Sequence, residues 1–284
     1  MNHALIGWGL GTSPGIVRVG SMIQSSTALR RREADSRARV AAKGSPPAKA
    51  VVIALVGLAF EARIAAGPGV FVICRDNDSE IARLLAIARK KGYRRIISFG
   101  VAGGLAPHLR TGDWVVASSV VDAQFNRPTD LIWTEKILTM IPGALHAPIL
   151  GVDTAVTDPE GKRRLHLRTG AAAADMESHL VARLAAEHGL SFAAARVVID
   201  PAHRFVPPAA LAGMLPGGRT DAIAVACALI ARPSQLLSII RLGFDAYIAR
   251  GALRRTRRLL GPEFGFSVPA YAAAPIADAT RIIE

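Results

Sequence analysis

Residues 51–57 read Val-Val-Ile-Ala-Leu-Val-Gly, six apolar residues, four of them β-branched, closed by a glycine. A run so short and so uniformly apolar is a strand buried on both faces, the mark of a sheet with helices on each side. Downstream, residues 58–66 have helical composition and Val70–Cys74 repeats the buried-strand pattern. Ser79–Lys91 then places Ile81, Leu84, Leu85 and Ala88 on one face of a helix. Arg95–Phe99 is a strand running into Gly100-Val101-Ala102-Gly103-Gly104, and another follows at Trp114–Val121. Further strands fit 144–152 and 192–199, and helices fit 158–168, 177–188, 219–231 and 234–259. Strands alternating with helices predict an α/β fold: a single three-layer α/β/α domain with a mostly parallel sheet.

Upstream of Val51 the character changes. Residues 21–49 are Ser, Arg and Ala with few large apolar groups, ending near Gly44-Ser45-Pro46-Pro47. This composition predicts a mobile basic tail over 1–49, a folded domain over 50–262 and a C-terminal extension over 263–284. The tail also reads as an upstream extension of the frame, with Met22 a later start. Across all 284 residues, 51% hydrophobic and 20% charged content excludes wholesale disorder and supplies one sizeable core. Two cysteines, Cys74 and Cys227, fit a reducing compartment, and no stretch reads as a membrane-spanning helix or a clear signal peptide. The expected location is the cytoplasm.

The net charge of +13 would ordinarily raise nucleic acid as a partner. Its distribution argues otherwise. Residues 1–50 carry +6, residues 241–260 carry +5 and residues 261–284 carry −2, leaving +4 for the 190 residues from 51 to 240. A nucleic-acid cleft through the body of the protein is not expected.

Ligands of such sheets bind beyond the carboxyl ends of the strands, so the informative residues follow the apolar runs. Four segments qualify: Gly57–Glu61, Gly100–Gly104, Asp175-Met176-Glu177, and Asp200-Pro201-Ala202-His203. The glycines serve either a tight turn or the approach of backbone N–H groups to a sugar or anion, and they make neither G-x-G-x-x-G nor a P-loop. Asp200 ends an apolar strand and must be paired or face a pocket; its plain alternative is a helix cap. Glu177 opens a helix, where a carboxylate also favours the macrodipole. Glu61 in Ala-Phe-Glu-Ala-Arg has solvated helix residue as its plain alternative. His3, His108, His146, His166, His179, His188 and His203 lack metal spacing and read as surface or loop, except His203, three residues past Asp200 and placed to line a pocket. No metal or cofactor is expected.

Taken jointly, Arg94–Val116 (RRIISFGVAGGLAPHLRTGDWVV), Asp175-Met176-Glu177-Ser178 and Arg196–His203 (RVVIDPAH) resemble the purine nucleoside phosphorylase and methylthioadenosine/S-adenosylhomocysteine nucleosidase superfamily, from Val51 to about Ile230. The resemblance implies a partly barrel-like central sheet. Gly57–Arg63, Gly151–Thr154, Asp200-Pro201 with Pro207-Pro208, and Gly218–Asp221 look most like its hopanoid-associated branch, linked with removing adenine from adenosylhopane. Cleaving an N-ribosidic bond passes through an oxocarbenium-like sugar while the leaving base gains electron density, so the site must protonate the base and hold the ribose. The resemblance implies that Asp200 is the acid, with a raised pKa, and that Glu61, give or take one residue in register, positions the attacking water. Glu177 and the Met176 backbone match the ribose-gripping pair, with Gly100, Val101, Ala102 and Gly103 beside the substrate. Arg196 stands where the family has a structural or base-side arginine and takes no chemical role.

Phosphorylases of this superfamily place an arginine where Ser98 stands and a serine where Val101 stands, because a dianion needs charge-assisted donors. Both are missing, and Asp76 and Asp78 in Arg75-Asp76-Asn77-Asp78 would repel phosphate although Arg75 would attract it. The expected reaction is therefore hydrolysis of an adenine nucleoside. An ordinary methylthioadenosine/S-adenosylhomocysteine nucleosidase, another purine nucleoside phosphorylase and a non-catalytic nucleoside-binding relative are the alternatives. Gln235–Leu260 mixes apolar residues with six arginines; it either packs on the sheet or brings its arginine-rich end to anionic lipid, giving peripheral membrane contact. A homo-oligomer is expected from the superfamily.

Overall fold

The computed structural model describes residues 52–75, 78–215 and 219–266; the expected tail over 1–49 lies outside them. In chain order the first half runs β1 (Val52–Val56), α1 (Ala59–Ala65), β2 (Val70–Cys74), α2 (Asp78–Lys90), β3 (Arg95–Gly104), β4 (Trp114–Val121), β5 (Asn126–Pro128) and α3 (Leu131–Met140). The second half runs β6 (Leu145–Gly151), α4 (Pro159–Thr169), β7 (Ala173–Asp175), α5 (Ser178–His188), β8 (Ser191–Asp200), α6 (Pro208–Ala212), β9 (Met214–Leu215), β10 (Arg219–Thr220), α7 (Ala222–Ala231) and α8 (Leu236–Leu260).

Alternation along the strands splits their side chains between two apolar layers. Ile53, Leu55, Ile96, Val115, Phe192 and Ala194 face a cluster completed by α2 and α5, among them Ile81, Leu85, Val181 and Ala185. Their neighbours Val52, Ala54, Val56, Phe99, Val116 and Val197 face Ala65 of α1, Trp133 and Ile137 of α3, and Ala249, Ala252 and Leu253 of α8. The three layers expected from the double-sided strands are thus formed.

The sheet runs β2-β1-β3-β7-β6-β4-β5, and β8 pairs with both β3 and β4. Strands β3, β7, β6, β4 and β8 therefore close a ring, with β1–β2 and β5 attached outside it. Pairings β1–β2, β1–β3, β3–β8, β4–β6 and β6–β7 are parallel. Those of β3 with β7, and of β4 with β5 and β8, are antiparallel. Closure explains the mixture, because β8 must reach back across to β4.

Several features depart from the sequence reading. Gly100–Gly104 is not a loop after a strand but the second half of β3, in register with β7 and β8. Helix α3 lies in a stretch without a helical assignment: it exposes Leu131 and Ile132 and buries Thr134 beside Trp133 and Ile137, so its periodicity is scrambled. The helix expected from 219 begins at Ala222, because Asp221 caps it through Ile223 N–H and Ala224 N–H while 219–220 pair with β9. His179, read as surface or loop, is buried. The folded body also runs past 262. Phe264 is fully buried against Phe99, and its carbonyl accepts a 2.8 Å hydrogen bond from Trp133 Nε1.

Candidate active site

The carboxyl ends of β1, β3, β7 and β8 gather acids around one buried arginine. Arg196, in the middle of β8, is fully buried, and its Nε lies 2.9 Å from Asp175 Oδ2 at the end of β7. Its Nη2 lies 3.4 Å from Glu177 Oε2 and also donates to Ser98 Oγ. Asp175 starts α5: Oδ1 accepts from Glu177 N–H at 3.0 Å and Ser178 N–H at 2.6 Å. Glu177 is buried beside it, and Arg75 Nη1, following β2, donates to Met176 O at 2.9 Å and lies 3.5 Å from Glu177 Oε1.

Glu61 completes this cluster from α1. It is not a solvated helix residue: it is 1% exposed. Oε2 accepts from Gly57 N–H at 2.9 Å and Leu58 N–H at 2.7 Å, and Oε1 accepts from Val101 N–H at 2.7 Å. Burial pushes its carboxyl up to about 7, against the pull of Arg196 and with a further push from Glu177. Burial raises Glu177 as well, opposed first by Arg196. With three carboxyls facing two guanidinium groups, full ionisation would bury an uncompensated negative charge, so the cluster favours holding a proton.

Asp200, the last residue of β8, lies beside Gly103 of β3, as Arg196 lies beside Gly100. Lys162 of α4 is fully buried with its Nζ 2.5 Å from Asp200 Oδ2, and the same ammonium donates to Pro201 O at 3.1 Å and Arg204 O at 3.0 Å. Burial pushes Asp200 up to about 6, with Lys162 opposing.

Glycines in β3 make room for both groups. A Cβ on Gly100 would fall on the Glu61 carboxyl and 2.7 Å from Arg196 Nη1; one on Gly103 would lie 3.3 Å from Asp200 Oδ2. One on Gly57 would collide with Glu177, 2.7 Å from its Cδ. The β3 residues touching Glu61 and Asp200, Val101 and Gly103, are two apart, or roughly 7 Å along an extended strand. The two acids therefore border one short piece of backbone.

The structure brings Asp200, Glu61, Glu177, Met176, Gly100, Val101 and Gly103 to one edge of the sheet. Two expectations change in content. Val101, expected beside the substrate, donates its N–H to Glu61, and the side chain of Ala102, expected there too, packs in the core. His203 is exposed on the turn after Asp200. Sequence reasoning gave Arg196 a structural or base-side place and Arg75 an attraction for phosphate, and it missed Lys162. Arg196 organises three acids, Arg75 holds the Met176 carbonyl, and Lys162 pairs with Asp200. For Lys162 a signal existed: it shares a helical face with Leu165 and His166, which are also withdrawn from solvent. A cavity of about 660 Å³ lined by Phe60, Arg63, Arg250, Arg254 and Arg258 lies between α1 and the end of α8 and touches none of the acids.

Three comparisons bear on this arrangement. The model of a family described as the phosphorylase superfamily matches residues 44–231. No curated protein matches the sequence. Among solved structures, the 5′-methylthioadenosine/S-adenosylhomocysteine nucleosidase of Helicobacter pylori, bound to butyl-thio-DADMe-Immucillin-A, superposes with a TM-score of 0.53 at 13% identity, covering 75% of this chain and 97% of that one. The nucleosidase of Streptococcus pneumoniae with a transition-state inhibitor gives 0.53 at 16% identity, covering 76% and 98%. Native futalosine hydrolase of H. pylori gives 0.52 at 15%, covering 75% and 96%. At these identities the likeness is one of fold, including the partly closed sheet.

Proposed function

Because the chain belongs to the phosphorylase superfamily, whose members are enzymes acting on nucleosides, we propose that it cleaves the N-glycosidic bond of an adenine nucleoside with water as nucleophile. The observation that carries this reading is the pair of buried acids set against the β3 glycines, Glu61 at Gly100 and Asp200 at Gly103, each raised toward neutrality. In this mechanism the bond from C1′ of the ribose to the base nitrogen breaks as Asp200 gives its proton to the imidazole ring of adenine. Glu61 orients a water toward C1′ and takes its proton as the new C–O bond forms. Glu177 accepts hydrogen bonds from the ribose hydroxyls, and its negative charge favours the developing cation. Lys162 stabilises the aspartate left behind, while Arg196 and Arg75 hold Glu177 in place.

Water fits this site better than phosphate. Ser98, where phosphorylases have arginine, is fully buried and accepts hydrogen bonds from Arg196 and from Ser178 Oγ at 2.9 Å. Both guanidinium groups that reach the acids are engaged with them, and a phosphate dianion would meet Glu61 and Glu177.

The finer reading, that the nucleoside is adenosylhopane and the reaction belongs to hopanoid synthesis, is supported by the segments shared with that branch. One of them, Gly151–Thr154, has a structural role: a Cβ on Gly151 would lie 2.7 Å from His179 Cγ, and Asp153 Oδ1 lies 3.4 Å from His179 Nε2. A cytoplasmic homo-oligomer in peripheral contact with an anionic membrane belongs to the same reading. The test is adenine release from methylthioadenosine and from adenosylhopane, with and without phosphate. Free ribosyl product without phosphate is expected. Release that requires phosphate and yields a ribose 1-phosphate would overturn hydrolysis. Asp200→Asn should lower turnover by about 10²–10⁴-fold while nucleoside-analogue binding survives, and unchanged turnover would remove the acid assignment.

A further inference from the structure

Helix α7 reads Ala-Ile-Ala-Val-Ala-Cys-Ala-Leu-Ile-Ala, apolar on every side, yet none of its residues is buried. Ile223 and Ile230 are 76% and 82% exposed. The chain then turns through Arg232 and Pro233–Gln235 into α8, whose first half continues the surface with Leu237, Ile240, Phe244 and Tyr247, 59–76% exposed. From Ala222 to Phe244 the only charged residues are Arg232 and Arg241. The second half of α8 behaves oppositely. Ala249, Ala252, Leu253, Thr256, Arg257 and Leu260 are buried, and Arg257 Nε donates to Ala65 O at 3.0 Å.

A helix apolar all round is stable only when surrounded by apolar material, and an apolar patch of this extent on a soluble surface marks an interface. A flat protein partner covers one side of such a helix. Lipid chains enclose it, and arginines with no acid among them complement anionic headgroups. We propose that the elbow formed by α7 and the first half of α8 docks into one leaflet of an anionic bilayer. No single helix among the described residues is long and apolar enough to cross a membrane, and α7 and the helical segment after it are bent by 118°. At about 1.5 Å per residue α7 extends about 15 Å, half of a hydrocarbon core, so the elbow enters and does not span.

The elbow is tied to the reaction edge. Its Gln235 accepts a 3.0 Å hydrogen bond from Ala209 N–H, and Asp245 of α8 receives Arg204 Nη1 at 3.3 Å and Thr111 Oγ1 at 3.1 Å. Arg204 is also the residue whose carbonyl holds Lys162. Docking therefore places the turn that follows Asp200 next to lipid. This deepens the membrane-contact part of the functional reading, moving it from the arginine-rich end of α8 to its apolar beginning, and is independent of the nucleoside chemistry.

The full chain is tested by cosedimentation with phosphatidylglycerol/phosphatidylcholine vesicles and with pure phosphatidylcholine. Binding to the anionic vesicles is expected, weakened about tenfold by Ile230→Asp with Leu237→Asp and unaffected by Leu167→Asp on α4. Phe244→Trp reports insertion through a blue shift of its difference emission, taken against the unaltered chain with its Trp8, Trp114 and Trp133, when anionic vesicles are added. Equal pelleting of the double variant, absence of binding by the unaltered chain, or a difference emission already blue without lipid and unmoved by it would overturn the proposal. The last outcome, joined with a shift from oligomer to monomer on gel filtration of the double variant, would assign the elbow to a second copy. An unchanged melting temperature shows that the double variant folds, and methylthioadenosine cleavage within about twofold of the unaltered chain shows that its site is intact. Should neither protein cleave any nucleoside, the catalytic reading fails while the vesicle result still decides the elbow.

Discussion

Asp200 illustrates how one residue acquires a role from its surroundings. Burial favours its neutral form and Lys162 its ionised form, leaving it balanced near 6, while Glu61 is balanced near 7. An acid that must be protonated and a base that must be ionised give a bell-shaped dependence of kcat/KM on pH, with limbs at about 6 and about 7 that belong to the pair. A profile that falls neither below about 6 nor above about 7 would remove both assignments. Both carboxyls lie above their unfolded values of 3.8 and 4.5, so the folded chain retains protons that the unfolded chain releases. Their contribution therefore makes stability fall as pH rises through the window from about 4 to about 7, and not beyond it. Lys162→Met removes the opposing cation. Asp200 should rise further, carrying the limb near 6 to higher pH; a limb left at about 6 would mean that Lys162 does not tune the acid. That Asp200 is special was legible, since a carboxylate ending Val-Val-Ile demands a partner. Which partner was not, because Lys162 is 38 positions away and stands among Arg163 and Arg164 of the same charge.

At the scale of the element, β3 shows what glycine contributes. The sequence left Gly100–Gly104 either to a tight turn or to the approach of backbone N–H groups to a sugar or anion; in the structure they lie within β3 and admit the carboxylates of Glu61 and Asp200. Gly100→Ala places a methyl on the Glu61 carboxyl and beside Arg196, both fixed by buried contacts. We expect a loss of about 1–3 kcal/mol in stability from overpacking and a fall in kcat/KM of about a hundredfold from misplacement of the base. Gly170→Ala is the control. Gly170 has φ 68° with nothing near its would-be Cβ, so Ala there should cost about 1 kcal/mol and leave activity unchanged. Equal activities for the two variants would show that the packing around Glu61 is dispensable. Double-sided strands such as β1 were legible because a strand buried on both faces has no polar positions. Helix α3 was not, because its burial follows contacts with Phe264 and the sheet instead of a regular stripe.

In the whole molecule, residues 264–266 belong to the folded body. Phe264 adopts φ 49°, unusual for a bulky residue, and is held there between Phe99 and the Arg257 guanidinium. Phe264→Ala should destabilise the protein by about 3–5 kcal/mol, read by denaturant unfolding; a change under about 1 kcal/mol would mean that this segment merely rests on the core. By itself the sequence determined the main alternation of strands and helices (though not β5, α3 or β7), the three layers, and the positions at strand ends where acids must find partners, because burial period and local charge are properties of neighbours along the chain. Ring closure by β8, the cations that hold each acid, and the apolar elbow left without cover were decided only in the tertiary structure. Each depends on which distant segments meet, and a hydrophobic or charged residue carries no local mark of what it will face.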